Sequence, residues 1–154
     1  MFDEMKKNLG KVVPKKKEKN LAVFIDGPNI LRKDLSIDLG DIKKAIKPYG
    51  KLRIAKVFLN QFASNKLVEA VANQGFEAVM TVGDIDVAMA VEATESIFNK
   101  NVQGIVFVSR DSDFLPALIK AKRYGKETIV VLAEQSSAAA LKNTADEVIV
   151  LKGA

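Results

Sequence analysis

The chain has 154 residues, 48% of them hydrophobic, with 24 Lys and Arg against 19 Asp and Glu, no Cys and no His. That length fits one domain with a sizeable core. No apolar run approaches the roughly 20 residues of a membrane span, and the charged N-terminus lacks the apolar stretch of a signal peptide, so a cytoplasmic protein with no membrane partner is expected. Without Cys there is no disulfide framework and no thiolate zinc site. Without His, the Ser-His-Asp, Cys-His and His-based nuclease chemistries are excluded, which leaves carboxylates working with a hard metal ion.

The charge is unevenly placed. Residues 1–20 hold seven lysines against three acids, and the remainder 17 basic against 16 acidic residues. The basicity therefore belongs to a tail (1–20), and a domain is expected over 21–151. Such a tail attracts nucleic-acid phosphates without regard to sequence, although its composition favours a solvated, disordered leader.

In chain order, LAVFID (21–26) is a short apolar run and predicts a buried strand, followed by GPNILRKDLSID, a loop with room for one turn of helix. LGDIKKAIKPY (39–49) has helical periodicity, closed by Pro48 and Gly50. KLRIAKVFLN (51–60) predicts the second strand. A helix over 64–75 follows, with Ser64 as N-cap and Gly75 as its stop. FEAVMTV (76–82) is the third strand, and 83–100 the longest helix, with Asp84 as N-cap and Asp86 in its first turn. VQGIVFVS (102–109) is the fourth strand. A helix over 113–126 follows, with Pro116 near its start and Gly125 at its stop. ETIVVLA (127–133), a helix over 136–145 and DEVIVL (146–151) complete the chain. Alternating helices and two-sided apolar strands predict an α/β fold, a parallel sheet with helices on both faces.

The stretch VFVSRDSDF (106–114) puts two carboxylates just past the end of a buried strand, where like charges repel and desolvation is costly. It is not alone. Asp26 ends strand one, Asp84 and Asp86 follow strand three, and Asp111 and Asp113 follow strand four. In an open parallel sheet the strand-to-helix connections share one edge, and ligands bind there where the strand order reverses. With strand one beside strand four, four or five carboxylates converge. Such a cluster is tolerable around Mg²⁺ or Mn²⁺, which take oxygen ligands and can activate a water against a phosphodiester. Each acid alone has a structural explanation, because Asp is a common cap and turn residue. Asp84 reads first as a cap, and one of Asp111 and Asp113 would serve as cap of the helix beginning at Phe114. The shared site requires Asp26 and Asp86 on one side of the sheet.

FIDGPN (24–29), GDIDVAMAVEA (83–93) and VSRDSDFLPALIKAKRYGKETIVV (108–131) resemble the NYN family, PIN-like domains that include the LabA-like proteins. The segment from Ser137 through LKNTADEVIVL is similar too, so the resemblance spans about 21–151. It implies a PIN-like three-layer α/β/α sandwich with a mainly parallel central sheet and strand one central. It also implies a metal-dependent ribonuclease site in which Asp26, Asp86, Asp111 and Asp113 are both the catalytic residues and the ligands of Mg²⁺ or Mn²⁺. Asn29 matches the asparagine that orients ligand or water. Ser109 lies in a small-hydroxyl position before the paired acids. Glu92 lies near a second acid of that helix, but six residues past Asp86 is about 240° around it, so it is held in reserve. Many members carry glycine where this chain has Arg110. That arginine can bind a phosphate, fold back onto the carboxylates, or point to solvent.

Three readings follow. The first is a metal-dependent endoribonuclease whose partner is RNA, single-stranded or structured, held through its backbone by Asn29, Arg32, Ser109, Arg110, Lys33 and the tail lysines. The second is a weakly active or inactive NYN-fold module that binds RNA or a protein, which the near-neutral body favours. The third is a haloacid-dehalogenase-like phosphatase. Its general acid would stand two residues after Asp26, where this chain has Pro28. Self-association or a protein partner stays open.

Overall fold

The computed structural model describes residues 18–31, 37–110, 114–134 and 139–151. Six strands form one all-parallel sheet: β1 (Asn20–Asp26), β2 (Lys51–Asn60), β3 (Glu77–Thr81), β4 (Gly104–Val108), β5 (Glu127–Leu132) and β6 (Glu147–Val150). They are arranged in the order β3-β2-β1-β4-β5-β6. The helices are α1 (Gly27–Ile30), α2 (Leu39–Ile46), α3 (Asn65–Asn73), α4 (Ile85–Ile97), α5 (Leu115–Arg123) and α6 (Ala139–Thr144). A 3₁₀ turn over Lys47–Tyr49 ends α2, because Pro48 cannot donate the next helical hydrogen bond.

The chain walks outward from β1 to β3, then crosses back and walks outward from β4 to β6. Right-handed crossovers in opposite directions put their helices on opposite faces. One core layer accordingly joins Val23, Ile25, Val106 and Val131 to Ile30 of α1, Ile42 of α2 and Val71 of α3. The other joins Phe24, Phe58, Phe107 and Val130 to Met89 of α4, Leu118 of α5 and Leu141 of α6. Strand β4 is buried along its whole length, and β1 and β5 along all but their first residue. That is why they read as apolar runs without alternation.

Local signals set the helix ends. Ser64 Oγ accepts from the Leu67 N–H at 3.1 Å, and Gly75 follows α3 at φ 86°, a conformation that favours glycine. Gly125 does the same after α5 at φ 77°. Asp38 and Asp41 cap α2 reciprocally: the Asp41 N–H donates to Asp38 at 2.8 Å and the Asp38 N–H to Asp41 at 3.1 Å. Asp84 stands at the N-cap position of α4, as expected, without a capping side-chain hydrogen bond. One expectation needs correction: the N-cap of α5 is Phe114 rather than Asp111 or Asp113, and it makes no side-chain capping bond either.

Candidate functional site

The strand order reverses between β1 and β4, so the crevice expected of such a sheet opens at their C-terminal ends. Asp26 is the last residue of β1 and is completely buried. Along β1, Leu21, Val23 and Ile25 face the layer of α1–α3, while Ala22 and Phe24 face that of α4–α6. The two-residue period of a strand assigns Asp26 to the second side.

Beyond the last β1–β4 pair, Ile25 with Val108, Ser109 stands level with Asp26 and is equally buried. Its N–H continues the ladder to the Val131 carbonyl at 3.2 Å. Asp86 enters from the same side. It is the second residue of α4, three before Met89 and seven before Ala93, both buried. It therefore lies on the stripe that α4 turns toward the sheet, and α4 packs over β1 and β2 and beside α5. Asp26, Ser109 and Asp86 thus share one edge and one side of the sheet.

Asn29 fixes the first carboxylate. Its Nδ2 donates to Asp26 Oδ2 at 2.7 Å and its backbone N–H to Oδ1 at 3.3 Å, so Asp26 also caps α1. The turn is tight: a Cβ on Gly27 would sit 2.5 Å from the Phe58 carbonyl oxygen and 2.7 Å from a Leu59 methyl. Gly27→Ala is expected to push β1 from β2 beneath Asp26 and cost about 1–3 kcal/mol in urea unfolding. A cost below about 0.5 kcal/mol would mean that the edge has slack.

Asp111, Asp113 and Arg32 lie outside the described residues, as do Lys33 and the tail over 1–17. Among the described residues, no three Asp or Glu form a group able to hold a metal ion. Glu92 turns elsewhere. It accepts from Lys56 Nζ at 2.8 Å, in a pocket of about 420 Å³ also lined by Arg53, Glu77, Glu95 and Asn99. That hydrogen bond raises the Lys56 ammonium above its usual value, against the opposing effect of burial. At the opposite edge of the sheet, the Asp146 carboxylate accepts from the Thr128 N–H at 2.8 Å and hydroxyl at 2.9 Å.

Arg110 takes a course that sequence reasoning missed. Its Nη2 donates to Glu134 Oε1 at 3.0 Å, just past the end of β5. The available signal was positional: Glu134 is the first acid after strand five, on the same edge and one strand over from Arg110.

The NYN domain profile matches residues 20–152, nearly the whole chain. The chain belongs to the NYN domain family. Over 135 residues this NYN domain is 53% identical to an uncharacterized protein of Methanocaldococcus jannaschii, a match covering 88% of this chain and 56% of that protein. The chain thus spans little more than half the length of the curated relative it matches. A solved structure described as a candidate HAD family hydrolase from Streptomyces avermitilis aligns with a TM-score of 0.46 and 13% identity, over 82% of this chain and 74% of that one. A likeness that low carries no argument. The all-parallel sheet with helices on both faces agrees with the PIN-like sandwich expected of an NYN domain. Among the described residues, no helix is long and apolar enough to cross a membrane.

Proposed function

We propose that this NYN domain is a metal-dependent ribonuclease. The observation that carries the reading is the buried Asp26 carboxylate at the open end of β1, on the same edge and side as Asp86 and Ser109. The donor set fits a hard cation, being carboxylate and hydroxyl oxygen with no imidazole or thiolate anywhere in the chain. Asp26 and Asp86, joined by Asp111 and Asp113, would hold Mg²⁺ or Mn²⁺. When bound, such an ion supplies Lewis acidity to a phosphodiester and acidifies water.

The chain's own residues do the rest. Asn29 holds the Asp26 carboxylate in one orientation through two N–H donors. Ser109 offers a hydroxyl group level with it. Arg110 and Arg32 offer guanidinium groups to RNA phosphates, which they can grip in bidentate fashion. Tyr and Phe number only ten, with no Trp, and four of the phenylalanines are fully buried. Recognition is therefore assigned to the RNA backbone rather than to stacked bases.

The test is cleavage of single-stranded RNA with Mn²⁺ or Mg²⁺, with EDTA as the control. Cleavage abolished by EDTA is the expected result. No cleavage in a protein that binds Mn²⁺ by calorimetry would mean an intact site lacking its substrate. Neither cleavage nor binding would overturn the nuclease in favour of a binding module.

A further inference from the structure

Arg110 stands at the end of the middle strand of three. On one flank, β1 ends in the buried Asp26, and on the other, β5 is followed by Glu134. A guanidinium in that place can turn to either side, with opposite consequences. Turned toward β1, it would bring a positive charge among the carboxylates and compete with a cation for them. Turned toward β5, it leaves them to the cation. The side chain takes the second course, held by Glu134 at 3.0 Å with both groups partly exposed. A solvated pair of this kind contributes little to stability. Its consequence is where it puts the charge.

We propose that Glu134 is a positioning residue that parks Arg110 on the β5 flank. It keeps the edge beside Asp26 negative, and it presents the guanidinium to an incoming RNA phosphate from outside the cation site. This rests on the metal-site reading above. The ion pair separates two roles that an arginine turned toward Asp26 would otherwise bring into conflict: attracting phosphate and sparing the metal ligands.

The test is a double-mutant cycle read by calorimetric titration of the RNA-free protein with MnCl₂. Unchanged thermal unfolding without metal serves as the fold control. Glu134→Ala releases Arg110 and is expected to weaken Mn²⁺ binding by about tenfold or more. Arg110→Ala alone is expected to leave it within about twofold, and the double variant to return to within about twofold of the parent. That non-additivity is the signature of action through Arg110. Unchanged affinity in Glu134→Ala overturns the proposal. So does a loss that persists in the double variant, or strictly additive effects, since these would make Glu134 act by its own charge alone. A parent protein that binds no Mn²⁺ removes the metal site and the positioning role together, whereas the other failures leave the site standing.

Discussion

Asp26→Asn is expected to abolish Mn²⁺ binding and lower metal-dependent RNA cleavage by at least about 100-fold, since even outer-shell partners of a metal ligand cost 10–100-fold. The substitution keeps the shape of the side chain. Asparagine caps a helix about as well as aspartate, so the α1 turn held through Asn29 retains its backbone hydrogen bond. The Asn29 amide loses one of its acceptors when Oδ2 becomes an amide nitrogen. Against that, a fully buried charge disappears from an edge that also receives Asp86, which relieves desolvation and like-charge repulsion. The metal-free variant should therefore unfold at or above the parent's Tm. The parent should gain Tm with added Mn²⁺ by mass action, and the variant should not. If Asp26→Asn still gains Tm with Mn²⁺, Asp26 is not a ligand. If its metal-free form is several kcal/mol less stable, the carboxylate serves the fold instead.

Phe107→Ala should cost about 3–5 kcal/mol, the largest loss expected of any single core truncation in this domain. Phe107 is fully buried at the centre of an aromatic row that crosses three strands. Its ring stacks on Phe114 with centroids 4.6 Å apart and meets Phe24 at 5.9 Å, and Phe24 in turn lies 6.4 Å from Phe58. Helices α4 and α5 rest on this row through Met89 and Leu118. Truncation therefore loses transfer free energy and leaves a cavity that stiff strands close poorly. In urea the midpoint should fall with the m-value unchanged. A loss below about 1 kcal/mol would show that α4 and α5 settle into the space. Phe107 lies two residues before Ser109, so the same variant should also loosen the site. Its Mn²⁺ affinity is best measured well below its Tm.

Much of this was legible in the sequence because the informative patterns are local. Apolar runs of four to seven residues, such as LAVFID and GIVFV, cannot be satisfied by a one-sided sheet, so they announced strands buried on both faces. The glycines at 75 and 125 announced helix ends through the φ they permit. Strand one was expected beside strand four, and the register agrees.

What escaped depended on groups far apart in sequence. Arg110 finds Glu134 24 residues away, and Lys56 finds Glu92 36 residues away. No short window contains both members of either pair. The cap of α5 was missed for a different reason: a buried Phe114 takes the position because the core needs its ring there, and packing overrides capping preference. Asp146 was read only as part of a strand, although its side chain serves a neighbouring strand's backbone.

The pairing of β1 with β4 also bears on how the chain folds. Leu21 meets Gly104, and Ile25 meets Val108, each pair 83 positions apart in the chain. Contacts so remote in sequence form only after a large loop-closure entropy has been met, so they set the tempo of folding. As the chain leaves the ribosome, β1, β2 and β3 can associate while one edge of β1 still lacks its partner. An open strand edge is a template for the wrong neighbour. The arrival of β4 closes that edge, and in the same step it brings Ser109 level with Asp26. The contact that closes this edge of β1 is thus the same one that builds the crevice.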